Sequence, residues 1–306
     1  MQALKGSLVA LVTPLSSNDE VDYIALKKLV TWHIDQGTHG IVSVGTTGEA
    51  PTLSVTEHSK VINKTIEYVN GRVPVIAGTG GNSTRDSIAL TREAKAAGAD
   101  YSLLVTPYYN KPNQEGLIKH FSLIADSVDI PQILYNVPSR TACDILPSTV
   151  RILAKHKNII GIKEALDDLD RIKELIKISH DMKSIKDFYI YSGDDPTFLA
   201  SMELGTHGVI SVVANAIPNQ IASICNFALS RDFVKAREIN NTYSDLYDLC
   251  FVESNPIPIK WIMYKLNKIE NNIRLPLINL NETFHEKIMS ELSLIHISEP
   301  TRQQGI

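Results

Sequence analysis

Ile159-Ile160-Gly161-Ile162-Lys163-Glu164 is an apolar run that ends in two charges. Its first four residues show no polar alternation, as expected of a parallel strand covered on both faces rather than one half in water. Seven more such runs recur at intervals of about 20 to 35 residues: Leu8 to Val12, Gly40 to Val44, Pro74 to Ala77, Tyr101 to Val105, Gln132 to Tyr135, Phe188 to Tyr191 and Gly208 to Val212. The segments between them are amphipathic with recognisable ends. Asp22 precedes Leu26, Leu29, Val30 and Ile34 at helical spacing, and Gly37 follows as a stop. Ser54-Val55-Thr56-Glu57 has the form of a capping box. Pro196 stands where a first helical residue belongs, and Gly205 closes that helix before the eighth strand.

Eight repeated β-α units close into a barrel or spread into an open doubly wound sheet, and periodicity alone does not choose. No Gly-x-Gly-x-x-Gly follows the first strand, which favours a (β/α)8 barrel. The reading is α/β, with a catalytic barrel over residues 1–218 and a helical extension over 219–292 packed on it. Residues 293–306 continue no helical stripe and are expected to be a disordered or non-native tail.

The chain has 306 residues, 43% of them hydrophobic, enough for one large core. A net charge of −4 without long like-sign blocks argues against nucleic acid or an anionic membrane as partner. The first residues, Met1-Gln2-Ala3-Leu4-Lys5-Gly6, resemble neither a signal nor a transit peptide, and no apolar stretch approaches a membrane span. Cys143, Cys225 and Cys250 are odd in number and lack Cys-x-x-Cys spacing, so reduced thiols in a cytoplasmic protein are expected. The nine histidines show no His-x-x-x-His or His-Glu-x-x-His pattern, so neither a metal nor a cofactor is expected. Gly78-Thr79-Gly80-Gly81-Asn82 lacks the ending of a phosphate-binding P-loop and reads as the loop of the third strand.

Barrel chemistry resides at the carboxyl ends of strands. Lys163 ends the sixth strand, which places its amine at the barrel mouth. An isolated strand-end lysine is ordinarily solvated. One enclosed by neighbouring strands is instead pushed toward the neutral amine, the form that attacks a ketone. Tyr135 ends the adjacent fifth strand and can face the same cavity, although a buried tyrosine more often only packs its ring. Thr46 and Thr47, between Gly45 and Gly48, can point hydroxyls and backbone N–H groups at a small carboxylate, or simply make a strand-to-helix turn.

Six phrases in order give the chain its likeness: Gly45-Thr46-Thr47-Gly48-Glu49, Val105-Thr106-Pro107-Tyr108-Tyr109, Tyr135-Asn136-Val137-Pro138-Ser139-Arg140-Thr141, Ile160-Gly161-Ile162-Lys163-Glu164, Ser192-Gly193-Asp194-Asp195 and Asn255-Pro256-Ile257-Pro258. Over roughly residues 5 to 292 it resembles the dihydrodipicolinate synthase and N-acetylneuraminate lyase superfamily of class I aldolases. The resemblance implies a pyruvate imine on Lys163, with protons relayed by Tyr135, Thr46 and a Tyr109 supplied by a partner subunit. It also implies that Thr47 and the Thr46–Thr47 backbone hold the pyruvate carboxylate, and that Gly193 and Ile210 line the pocket. Arg140 matches the residue that, on the synthase side of the superfamily, holds the carboxylate of an incoming aldehyde; a solvated loop arginine is the plain alternative. The implied reaction joins pyruvate to L-aspartate 4-semialdehyde to give 4-hydroxy-tetrahydrodipicolinate, on the route to diaminopimelate and lysine.

Because Tyr109 is expected to act across an interface, the resemblance implies at least a dimer, and in this family usually a dimer of dimers. His58, Asn82 and Tyr108 match a lysine-effector pattern, whereas Val55 and Asp86 stand where relatives often carry histidine and glutamate, so weakened or altered inhibition is expected. Two other readings are a sialic-acid lyase or sugar-acid aldolase, against which Arg140 and the paired threonines argue, and a noncatalytic barrel that keeps the ligand pocket.

Overall fold

A computed structural model of the chain describes residues 4–295. Eight parallel strands form a closed barrel in chain order: β1 (Gly6–Ala10), β2 (Gly40–Ser43), β3 (Val75–Gly78), β4 (Tyr101–Val105), β5 (Gln132–Asn136), β6 (Ile159–Glu164), β7 (Tyr189–Ser192) and β8 (Gly208–Ser211). Closure is between β1 and β8, where Gly6 pairs with Gly208. A Cβ on Gly208 would lie 2.1 Å from the Gly6 carbonyl oxygen, so only glycine allows the seam to shut.

All eight expected strands are present. β1 begins two residues earlier than its apolar run because Gly6 and Ser7 pair with β8 despite adding no greasy side chain. Alternation within each strand separates two environments. Leu8, Ala10, Val42, Ile76, Ile133, Tyr135 and Ile210 pack together inside the barrel. Val9, Ile41, Val75 and Val209 face the helices, as do Leu134 and Ile162 on the other side. On this alternation Lys163 points inward and Glu164 outward.

The Asp22 carboxylate caps helix Tyr23–Asp35 by accepting from the Ile24 and Ala25 N–H groups, and Ser54 and Glu57 form the expected reciprocal box on helix Val55–Val69. Helix Phe198–Leu204 begins two residues beyond Pro196 and not at it. The Asp194 carboxylate accepts from the Thr197 N–H and hydroxyl, which folds Pro196 into a turn before the helix.

Two boundaries differ from expectation. Helix Pro218–Leu229 packs on β1 and on helix Phe198–Leu204, so it completes the eighth β-α unit and the barrel continues past residue 218. Its apolar pattern resembles that of the helices after it, and no strand follows to mark the change. Helix His285–Leu294 takes in Ser293 and Leu294, two residues expected in the tail, within the usual fraying of helix ends. Residues 296–306 of that tail lie outside the described residues.

Ile257, Trp261, Ile288 and Leu292 of the extension belong to the same apolar cluster as Val9, Ile41 and Val209, and helix Ile257–Lys265 abuts the turn after β8. The extension thereby reaches the carboxyl ends of the strands, where the site lies.

Candidate active site

Lys163 is 5% exposed, and its Nζ lies 4.3 Å from the centroid of the Tyr135 ring. The two residues are register partners on β5 and β6, so ordinary strand pairing is enough to bring them together. They line a cavity of about 200 Å³ at the barrel mouth, together with Gly45, Thr46, Thr47, Arg140, Gly193 and Ile210. Gly193 provides the room for the lysine. A Cβ there would stand 2.7 Å from Lys163 Cε and 3.1 Å from its Cγ.

The threonine turn is held from several sides. Val44 opens it with a left-handed φ of 57°, a conformation costly for a β-branched residue and sustained only by its surroundings. The Thr13 hydroxyl donates to the Gly48 carbonyl at 2.7 Å, and the Asn255 amide donates to Thr47 Oγ1 at 3.0 Å. Glu49, also left-handed, pairs with Lys260 in an almost fully buried ion pair and accepts from the Arg274 N–H at 3.1 Å. Burial is the largest influence on Lys260 and pulls its ammonium below the ordinary lysine range, while Glu49 pushes it back.

Beneath the lysine, on the outer face of the strands, lies a second polar cluster. Asn136 donates to both Glu164 oxygens at 3.0 and 3.1 Å and to Asp144 at 2.8 Å. Arg171 donates from Nε to Glu164 at 2.7 Å, and from its two terminal nitrogens to Asp144. Glu164 is wholly buried, and burial raises its carboxyl above the ordinary range against the opposing pull of Arg171. The cluster ties the ends of β5 and β6 together directly behind Tyr135 and Lys163.

Arg140, on the short helix Pro138–Thr141, is exposed at the rim. Tyr109 is the one expected catalytic residue that the fold does not bring to the cavity of its own chain. Its side chain is 89% exposed on a left-handed backbone with φ of 73°. A second cavity of about 490 Å³ is lined by His58, Asn82 and Tyr108 together with Val55 and Asp86. Thr46, Tyr135 and Arg140 border both cavities. Asn255, Asp194, Ser139 and Phe251 also line the first cavity and were given no role in the sequence reading. Asn255, Asp194 and Ser139 lie within the motifs that carry the resemblance, but nothing in a motif shows which side chains turn toward a lysine.

Residues 3–295 match the family described as dihydrodipicolinate synthetase. The chain belongs to this family. Among its relatives, 4-hydroxy-tetrahydrodipicolinate synthase of Pseudomonas aeruginosa is 52% identical over 93% of the chain and 96% of the relative. The enzyme of the same name from Psychrobacter is also 52% identical, with 93% of each covered. A solved dihydrodipicolinate synthase family structure from Acinetobacter baumannii, chloride-inhibited and complexed with pyruvate, superposes with a TM-score of 0.94 at 48% identity, over 96% of the chain and all of that structure. That of Cyanidioschyzon merolae with lysine bound gives 0.91 at 32% identity, over 96% and 99%.

The three cysteines of this family member are buried and form no disulfide. Among the described residues no group of His, Cys, Asp and Glu could hold a metal ion, and no helix is long and apolar enough to cross a membrane.

Proposed function

We propose that the chain condenses pyruvate with L-aspartate 4-semialdehyde through an imine on Lys163, giving 4-hydroxy-tetrahydrodipicolinate. The observation that carries this reading is a buried lysine amine 4.3 Å from a tyrosine ring inside a small cavity, with paired threonines on its wall and an arginine at its rim. Membership of the family, and relatives named for 4-hydroxy-tetrahydrodipicolinate synthesis, support this choice of substrates.

Lys163 Nζ attacks C2 of pyruvate to form a carbinolamine, which loses water to the imine. Loss of a methyl proton then gives an enamine, whose C3 attacks the aldehyde carbon. The amine of the bound aldehyde substrate displaces lysine from C2, closing the ring and freeing the enzyme. Tyr135 and Thr46 relay the protons, completed by Tyr109 of the partner subunit, whose exposure in the single chain suits a residue used across an interface. Thr47 and the Thr46–Thr47 backbone hold the keto-acid carboxylate, with Gly193 and Ile210 shaping the pocket. Arg140 receives the carboxylate of the aldehyde substrate through a charge-assisted pair.

The assembly this requires is at least a dimer, and we propose a homotetramer working in the cytoplasm. The second cavity is the proposed lysine site, with His58, Asn82 and Tyr108 as contacts and with Val55 and Asp86 weakening the effector's hold. A coupled assay with both substrates tests the reading. The parent protein turns over and Lys163→Arg, which keeps the charge but forms imines poorly, loses at least a thousandfold; equal activity of the two would refute it.

A further inference from the structure

We infer that Asn255, in the extension beyond the barrel, is a positioning residue that orients the Thr47 hydroxyl as a donor toward the keto acid. The inference rests on the reading that Lys163 binds pyruvate.

Asn255 is 5% exposed and lines the cavity, and its Nδ2 donates to Thr47 Oγ1 across 208 residues of sequence. A hydroxyl carries one proton and two lone pairs. With a lone pair of Thr47 occupied by the amide N–H, its proton is directed elsewhere. Among the described residues Thr47 Oγ1 donates to no protein acceptor, which leaves that proton for a ligand in the cavity. A carboxylate accepts such a bond with the added strength of its charge.

As the amide stands, its Nδ2 faces Thr47 and its Oδ1 is buried without a partner; turned over, Oδ1 would accept the Thr47 proton and leave none for a ligand. Immediately beyond Asn255, Lys260 of helix Ile257–Lys265 pairs with Glu49, two residues past Thr47. The Arg274 N–H bonds the same carboxylate, and its guanidinium pairs with Glu57 on the following helix. One downstream segment therefore grips the threonine turn at Thr47, at Glu49 and at the helix that follows it. Strand periodicity alone makes the barrel; this grip sets the direction of one hydroxyl within it.

Asn255→Asp keeps the shape of the side chain and replaces the donor by an acceptor, which draws the Thr47 proton away from the ligand. The pyruvate concentration giving half-maximal borohydride trapping on Lys163 should rise roughly tenfold or more, with the aldehyde KM little changed. The same change made on Thr47→Val should cost less, keeping only the direct repulsion between the new carboxylate and the keto acid, because the hydroxyl through which Asn255 acts is gone. Should Asn255→Asp fail to fold, Asn255→Ser provides the same two comparisons. Equal losses with and without the Thr47 hydroxyl, or an unchanged half-maximum, would overturn the inference. A parent protein that traps no pyruvate at all would instead overturn the reading of Lys163 on which it stands.

Discussion

Replacing Gly193 by alanine should disable imine formation while leaving the barrel folded. An added Cβ would sit 2.7 Å from Lys163 Cε and 3.0 Å from Ala165 Cβ, and the Cε must retreat by about 0.7 Å to reach the 3.4 Å of ordinary contact. Pivoting about the rest of the side chain, the terminal amine moves by roughly 1 Å, a displacement that costs on the order of 100-fold in a reaction needing near-attack geometry. The Gly193 N–H bond to the Glu164 carbonyl survives in alanine, so the stability cost is limited to overpacking of about 1–3 kcal/mol. Rapid-quench borohydride trapping at saturating pyruvate measures the rate, and thermal unfolding checks the fold. A trapping rate within threefold of the parent would refute the claim that Gly193 is there to seat the lysine.

Other expectations follow from separate parts of the structure. Arg140→Ala should raise the KM for the aldehyde by about 10- to 100-fold while pyruvate trapping stays within threefold, since Arg140 sits at the rim and not beside the amine; steady-state kinetics with each substrate varied decides this. Lys260→Met strands the buried Glu49 carboxylate and should cost about 3–5 kcal/mol in urea unfolding, much of it recovered by adding Glu49→Gln; equal stability of the single and double variants would be the contrary result. Burial holds His33 at about 3 and His120 at about 4, below the ordinary 6.5. Each stays neutral when folded and gains a proton on unfolding below pH 6.5, so the stability is complete above pH 6.5 and lost as pH falls. Between pH 6.5 and 4.5 each should remove roughly 2 kcal/mol, and His33→Gln should flatten the decline seen by urea unfolding at the two pH values.

Much of the barrel could be read from the sequence because a strand buried on both faces is written locally, as in Ile159 to Ile162 or Gln132 to Tyr135. Lys163 and Tyr135 were legible for a related reason: each ends such a run, and parallel pairing sets neighbouring strand ends side by side. The eighth helix was misplaced because nothing local distinguishes Pro218–Leu229, which covers β1, from the extension that follows. What holds the site in place was illegible. Asn255 to Thr47 and Lys260 to Glu49 are contacts across 208 and 211 residues, between side chains whose types are ordinary on any surface. The polar cluster of Asn136, Asp144, Glu164 and Arg171 shares this character, since four hydrophilic residues look solvated until the fold buries them together.

The central claim is that one enclosed amine, that of Lys163, takes pyruvate covalently. The direct measurement is peptide mass spectrometry after borohydride reduction of the protein with pyruvate. The account predicts a single reduced pyruvate adduct, on the peptide containing Lys163, absent without pyruvate and absent from Lys163→Arg. An unmodified Lys163 in protein that still turns over both substrates, or an adduct that persists on another lysine in Lys163→Arg, would contradict it.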